Sequence, residues 1–309
     1  MKTMVEVQNL TKEFNGKTVL DRITFEVKES EIFGYLGPNG AGKTTTMRII
    51  LGLLKPTVGK TLVLGQNLGT NEDLRRKVGV LLENDGLYGL LSAYENLNYY
   101  ARLYGVHDRE EKIKELLDFA GLSDKKNDKV GNFSKGMKRK LALSRSLIND
   151  PAILFFDEPS AGLDPEAQRI VRELILKLSG GGKTIFLCSH DLDEVQRICS
   201  KIAILEKGKI KAFDTIENLR EKFGKPFVEI TFADTKEVNK ALDLINSLSY
   251  VSECKKENIK LEVILKGASS SLLLNALMKK GIKVEEIKKA TKSLEDIYLY
   301  ILKQSEEEI

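Results

Sequence analysis

Gly37-Pro38-Asn39-Gly40-Ala41-Gly42-Lys43-Thr44 is the stretch on which the fold turns. It matches GxxxxGK[ST], and it lies between an apolar run at 32–36 and a helical pattern at 45–54. In that context a glycine-rich turn cradles phosphate. The glycines let successive backbone N–H groups point inward as an anion-binding nest, and the helix start adds partial positive charge. This reading puts Gly37, Pro38, Asn39, Gly40, Ala41, Gly42, Lys43, Thr44 and Thr45 around a nucleotide's phosphates. Lys43 reaches the β- and γ-phosphates, and the Thr44 hydroxyl ligates Mg²⁺. The alternative is a chance match on a Gly-rich turn, and the flanking strand and helix weigh against it.

Outward from the turn, short apolar runs recur at 78–82, 153–156, 185–188 and 202–205. Such runs suit strands covered on both faces, as in a parallel sheet with helices on either side. Helical stretches at 111–120, 138–148, 166–178 and 192–199 separate most of them, so the class is α/β. At the N-terminus, Val5-Glu6-Val7 and Phe25-Glu26-Val27 alternate as half-buried antiparallel strands do. The tail reads differently: strand 227–232, helix 236–248, strands 251–255 and 259–266, helix 271–280, strand 283–287 and helix 294–303. The order βαββαβ is the ferredoxin-like, α+β pattern. Phe223-Gly224-Lys225-Pro226 breaks the helix before it. The expected domains are therefore 1–224, carrying the phosphate cradle, and 225–309, an accessory unit.

Composition narrows the partners. The chain has 309 residues, 42% hydrophobic and 30% charged, as expected for a folded globular protein. Its 49 Lys and Arg against 45 Asp and Glu give a net charge of +4, too balanced to predict nucleic acid as a partner. The longest charge-free stretch, Gly267–Met278, holds three serines and an asparagine, so no membrane span is expected. The first residues show no signal-peptide core, which predicts a cytoplasmic location. Three cysteines without a CxxC pair are expected to be reduced and structural.

Further candidates lie at strand ends. The run 153–156 ends in Asp157-Glu158, and a parallel strand delivers its C-terminal end to the ligand crevice. Asp157 there holds Mg²⁺, and Glu158 orients and deprotonates the attacking water. The alternative is a turn that merely closes a strand. His190 ends another apolar strand, in reach of a γ-phosphate or as a half-exposed turn residue. His107 sits in a polar stretch and carries no role. Ser134 is a plausible N-cap for a helix whose first turns hold Lys135, Lys138, Arg139 and Lys140, against the dipole preference for acids. An anion docking there would resolve the conflict; a solvated basic face is the other reading. Five of nine tyrosines fall between Tyr88 and Tyr104, as a partner surface or as a helix packing into the core.

Together these residues resemble an ATP-binding cassette (ABC) transporter ATPase subunit. The resemblance covers about residues 1–220. Gly37–Thr44 is similar to the Walker A motif, Asp157 and Glu158 to Walker B with its catalytic glutamate, and Ser160-Ala161-Gly162-Leu163-Asp164 to the D-loop. His190 stands for the switch histidine, and Phe14 stands where an aromatic stacks on adenine. Phe133-Ser134-Lys135-Gly136-Met137 stands where the LSGGQ signature belongs. It departs at Lys135 and Met137 but keeps Ser134 and Gly136. Glu83 replaces the usual Q-loop glutamine, and as a carboxylate it could touch Mg²⁺ or water. With the C-terminal extension, these departures resemble drug and antibiotic resistance exporters of the daunorubicin and bacitracin type.

The resemblance implies more than the residues themselves do. Glu158, His190 and Lys43 would be catalytic. Thr44, Asp157 and Glu83 would hold Mg²⁺. Ser134 and Gly136 would act across a head-to-tail dimer on ATP held by a second copy or a homologous subunit, and Asp164 would belong to the nucleotide-binding set. The segment after Glu83 would receive a helix of an integral membrane permease, holding the chain at the cytoplasmic face of the membrane. The rival readings are a soluble ABC ATPase and a slow nucleotide-gated module.

Overall fold

Asn15 and Gly16 stand at φ 49° and 77°, and they close a two-residue turn between β1 (Thr3–Phe14) and β2 (Lys17–Lys28). Asn-Gly is the pair that adopts such a turn at least cost. The computed structural model describes residues 1–224, 226–267 and 269–307. After the hairpin come β3 (Ile32–Leu36), α1 (Lys43–Ile50), β4 (Val58–Val63), α2 (Glu72–Arg75), β5 (Val78–Leu81), α3 (Ala93–Tyr104), α4 (Arg109–Phe119) and α5 (Lys135–Ser146). Then follow β6 (Ile153–Asp157), α6 (Pro165–Gly180), β7 (Thr184–Ser189), α7 (Leu192–Ile198), β8 (Lys201–Glu206) and β9 (Lys209–Thr215). No helix among the described residues is long and apolar enough to cross a membrane.

Two sheets build this unit. One is three-stranded and antiparallel, in the order β2-β1-β4; the other is six-stranded, β5-β6-β7-β3-β8-β9, parallel except for β9. Every residue of β3, β6 and β7 is buried, which is why those runs carry so few polar residues. Phe25, Phe33, Tyr35, Phe155 and Phe186 meet in the core with ring centroids 5.4–6.5 Å apart. Each such side chain adds about 1.5–3 kcal/mol by leaving water. The parallel register aligns the ends of β3, β6 and β7, so the phosphate cradle, Asp157 and Ser189 emerge at one rim. The fold is the α/β cassette with its antiparallel sheet and helical segment.

The alternation of apolar runs located the parallel strands to within a residue or two. It did not locate α3, where the tyrosines blur the helical period. That helix is fixed instead by a capping box: the Glu95 N–H donates to Ser92 Oγ, and the Ser92 N–H donates to Glu95 Oε2.

The chain divides into two compact units, Met1–Ile216 and the residues from Glu217 onward. This division precedes the expected link at Phe223-Gly224-Lys225-Pro226, of which Lys225 lies outside the described residues. α8 (Ile216–Phe223) thus belongs, but for its first residue, with the second unit. That unit continues β10 (Phe227–Phe232), α9 (Thr235–Asn246), β11 (Val251–Glu257), β12 (Lys260–Leu265), α10 (Ser270–Lys279), β13 (Val284–Ala290) and α11 (Leu294–Glu307). Its sheet order is β11-β12-β10-β13, antiparallel throughout, which is the ferredoxin-like arrangement of βαββαβ. Ile230, Phe232, Val238, Ile245, Val263 and Leu277 form its separate core.

Candidate active site

The cradle's glycines are fixed by space. A Cβ on Gly37 would lie 2.4 Å from the Leu205 carbonyl oxygen, and one on Gly42, at φ 112°, 2.5 Å from Leu20 Cδ2. Gly42 is the N-cap of α1, so Lys43 and Thr44 open that helix. The Lys43 ammonium is buried, donates to the Gly37 carbonyl at 2.7 Å and lies 3.4 Å from Glu158 Oε1. The Thr44 hydroxyl donates to Asp157 Oδ2 at 3.1 Å, joining α1 to the end of β6.

Asp157 and Glu158 are neighbours with different surroundings. Asp157 is 3% exposed, and its Oδ1 has no hydrogen-bond partner. Burial pushes its carboxyl above the ordinary range, against the Thr44 hydroxyl, which pulls it down. Glu158 stands at φ 51°, a left-handed conformation that costs energy for any residue with a Cβ. Its N–H donates to the Cys188 carbonyl at 2.9 Å, tying the turn to β7. Its Oε2 lies 2.9 Å from His190 Nδ1, and the imidazole is about half exposed. One carboxylate is thus aimed at the Thr44 hydroxyl, and the next bridges Lys43 and His190.

These groups face one cavity of about 470 Å³. Pro38, Asn39, Gly40, Gly42, Lys43, Thr44, Thr45, Glu83, Asp157, Glu158 and His190 line it. Gly37 and Ala41 stand behind the lining, Gly37 as acceptor for Lys43 and Ala41 buried with its N–H on the Pro38 carbonyl at 3.2 Å. Glu83 is exposed at the mouth, shared with a neighbouring depression lined by Asn84, Asp85 and Lys138. Val19 and Ala161 complete the wall. Neither was expected: one is an apolar residue of β2, the other an alanine behind the acidic pair.

Other expected residues lie elsewhere. Phe14 is not in the lining; its ring is exposed at the end of β1, with the Lys12 ammonium 4.7 Å from its centre. Ser134, Gly136 and Asp164 line a separate depression of about 180 Å³ that shares no residue with the cavity. There Ser134 Oγ caps α5 by accepting the Met137 N–H at 3.2 Å, and Asp164 caps α6 by accepting the Ala167 N–H at 2.8 Å. His107 is exposed and outside the cavity.

The basic start of α5 needs a corrected reading. Its four cations do not all await an anion. Arg139 is buried, donates to the Leu82 carbonyl at 3.2 Å and pairs with Asp85 at 3.1 Å. Lys138 donates to the Gly131 carbonyl at 3.3 Å. Charge spacing alone could not separate an inward-turned arginine from a solvated one. Nearly two turns further on, Arg145 donates to the Val80 carbonyl at 2.9 Å and stacks over Tyr100. α5 therefore grips the segment that carries Glu83.

The tyrosines divide between both readings. Tyr100 packs inward, its hydroxyl donating to the Gly86 carbonyl at 2.6 Å. Tyr88 and Tyr99 are exposed and meet edge to face at 5.1 Å. Leu90 and Leu103 are exposed nearby in the chain, at 86% and 62%. The cysteines behave as expected of structural thiols: burial pushes Cys188 and Cys199 up, so both stay protonated.

Comparison with known proteins points one way. Residues 20–161 match the ABC transporter family model, and residues 215–301 match the C-terminal domain of DrrA1-3-like ATP-binding proteins. The uncharacterized ABC transporter ATP-binding protein YhcH of Bacillus subtilis is 37% identical, over 100% of this chain and 99% of its own length. The bacitracin transport ATP-binding protein BcrA of Bacillus licheniformis is 33% identical, over 98% of each. A solved ATP-binding subunit of an ABC transporter superposes with a TM-score of 0.66 at 32% identity, covering 72% of this chain and 93% of that one. A dimeric ATP-binding cassette in a post-hydrolysis state with ADP and Pi gives 0.62 at 27% identity, covering 69% and 99%.

Proposed function

This chain belongs to the ATP-binding subunits of ABC transporters, and from that premise we propose how its residues divide the work and what it drives. The chain binds and hydrolyses ATP, and ATPases of this family dimerise and pair with membrane permeases. The observation that carries the reading is the separation of two half-sites. Lys43, Glu158 and His190 share one cavity, while Ser134 and Gly136 lie in another depression at the starts of α5 and α6. Two depressions on one chain become one enclosed site when a second copy, or a homologous subunit, packs head to tail.

Within that site the roles follow from chemistry. Backbone N–H groups of the cradle and Lys43 hold the phosphates; the ammonium exchanges its carbonyl partner for phosphate oxygen. Asp157 and Thr44 fit Mg²⁺: a hard cation takes oxygen donors, and Asp157 Oδ1 is a buried acceptor without a partner. Among the described residues no group of three or more His, Cys, Asp or Glu could cage a metal. One carboxylate and one hydroxyl completed by phosphate oxygens is the usual way Mg²⁺ is held in such enzymes. When bound, Mg²⁺ offsets the charge gathering on the transferred phosphoryl group. Glu158 accepts the proton of the attacking water, a step worth about 10²–10⁴-fold. His190, held by Glu158 at 2.9 Å, presents its other nitrogen to the γ-phosphate. Glu83, exposed at the mouth, would be a further oxygen donor to the metal or to water.

The exposed Tyr88 and Tyr99 with Leu90 and Leu103 form the surface that receives the permease, and Arg139 and Arg145 link it to α5. This keeps the chain on the cytoplasmic face of the membrane. The cargo is an exported drug, antibiotic or other small molecule, a reading supported by the full-length likeness to the bacitracin transport protein and by the DrrA1-3-like C-terminal unit.

Purifying the tagged chain from gently solubilised membranes tests the transport reading. A stoichiometric integral membrane protein without a cassette of its own is expected to come with it. A partner-free soluble chain would reject that reading and leave the ATPase in place.

A further inference from the structure

Glu194 lies in the first turn of α7, outside the cavity and 5% exposed. Ser160 Oγ donates to its Oε1, and Ser189 Oγ donates to its Oε2 at 3.3 Å. Both serines are themselves buried, at 4% and 1% exposure. Ser189 Oγ accepts the Asp191 N–H at 3.0 Å, and Asp191 Oδ1 accepts the Glu194 N–H at 3.0 Å, so the group is closed on itself. Ser160 follows Glu158 by two residues, and Ser189 precedes His190 by one. A single carboxyl group therefore spans the loop after β6 and the loop after β7.

We propose that Glu194 is a positioning residue for hydrolysis: by joining Ser160 to Ser189 it fixes the 2.9 Å contact between Glu158 and His190. The inference rests on the catalytic roles proposed for Glu158 and His190. An apolar side chain would fill the same space without the cost of a buried carboxyl, which is high unless every oxygen is hydrogen-bonded. Both oxygens are hydrogen-bonded here, at the one junction where the two loops must not drift. Burial pushes the Glu194 carboxyl above its ordinary value, with the Ser160 hydroxyl opposing, so the structure tolerates an expensive group at this place. Glu158 at φ 51° also needs holding, because a left-handed residue persists only where its surroundings over-determine it. Ser160 is held a second time, its carbonyl accepting Gln168 Nε2 at 3.4 Å.

The test compares Glu194→Ala, Glu194→Gln and the double variant Ser160→Ala, Ser189→Ala in the full chain. Mg-ATP turnover, binding of a fluorescent ATP analogue and Tm are measured for each. Misplacing a catalytic group by about 1 Å costs up to about 10²-fold, so Glu194→Ala is expected to lower kcat at least about tenfold. KM and analogue affinity should change less than about twofold, because the cradle is untouched. Glu194→Gln is expected to recover most of kcat, since an amide accepts from one serine and donates to the other. The double serine variant should reproduce the loss, and it carries the test if Glu194→Ala fails to fold. In a Glu158→Gln background, Glu194→Ala should have no further effect. A folded Glu194→Ala with normal kcat, a loss confined to KM, or an equal further loss in the Glu158→Gln background each overturns the proposal. Near-normal turnover of Glu158→Gln alone would instead overturn the role of Glu158, so the two failures are told apart.

Discussion

The buried acids at and beside the cassette's site and the paired acids of the second unit are shifted in opposite directions. In the first unit's site, Asp157 and Glu194 are raised, chiefly by burial. In the second unit, Glu229 is lowered chiefly by Lys288, Asp234 by the Glu237 N–H, and Glu237 by Lys240. Glu262, half-buried on the second unit's sheet, goes the other way, raised chiefly by burial and next by the Glu257 charge. The contrast separates two uses of a carboxylate. Asp234 and Glu237 serve the fold: one caps α9 at 2.8 and 2.9 Å, and the other accepts the Lys283 N–H at 3.1 Å. Asp157 is kept dry with an oxygen to spare, which costs stability and makes sense only if a ligand collects it.

The largest effect should come from Glu158→Gln. It removes the base and leaves the cradle, so turnover is expected to fall at least about 10²-fold while ATP stays bound. A phosphate-release assay beside an equilibrium binding measurement checks both halves.

Asp157→Asn should cut Mg-dependent turnover at least about tenfold, since the metal loses its charged donor. The same change should raise Tm at pH 7. The sign follows from linkage. A carboxyl raised above its ordinary 3.8 adds stability at low pH, and that stability is lost as pH rises through the raised value. The amide keeps the Thr44 bond without the charge. A lower Tm at pH 7 would mean that Asp157 serves the fold as the second unit's acids do.

Tyr99→Ala sharpens the other side of the cassette. Its ring is 46% exposed, so Tm should hold and basal turnover stay within about twofold while the co-purified membrane protein is lost. Quantitative mass spectrometry of the purified complex reads the difference.

The smallest effect is expected in the second unit. Glu229→Gln removes two ion pairs, at 2.9 Å to Lys288 and 3.2 Å to Lys260. It should lower Tm by about 3 °C at pH 7 and leave turnover alone. Because the Glu229 carboxyl is held below its ordinary 4.5, its contribution is full above that value and fades as pH falls below it. Wild type and variant should therefore converge in acid, whereas the Asp157→Asn gain should shrink there for the opposite reason.

How far the sequence could be read follows from the same contrast. The cradle, Asp157-Glu158 and His190 were legible because each is a short consecutive run at the end of an apolar strand. The element order of the second unit, βαββαβ, was legible, while its sheet order and register come from the structure. The inward turn of Arg139 was not, because its partners, Leu82 and Asp85, lie more than fifty residues away. Glu194 was passed over for a different reason: it looks like any acid in a helix's first turn, where the dipole already favours one. Only the meeting of β6 with β7 brings Ser160 and Ser189 to it.

The central claim is that the Ser134 and Gly136 depression of one chain completes the Lys43, Glu158 and His190 cavity of another. Mixing two singly inactivated chains tests it most directly. Glu158→Gln spoils the cavity, and Gly136→Asp places a charge in the depression. Each alone should be nearly inactive, yet a heterodimer of the two retains one intact composite site. In an equal mixture, random pairing is expected to restore about a quarter of wild-type turnover. A mixture as inactive as its parents, from chains that fold, bind ATP and associate, would contradict the account.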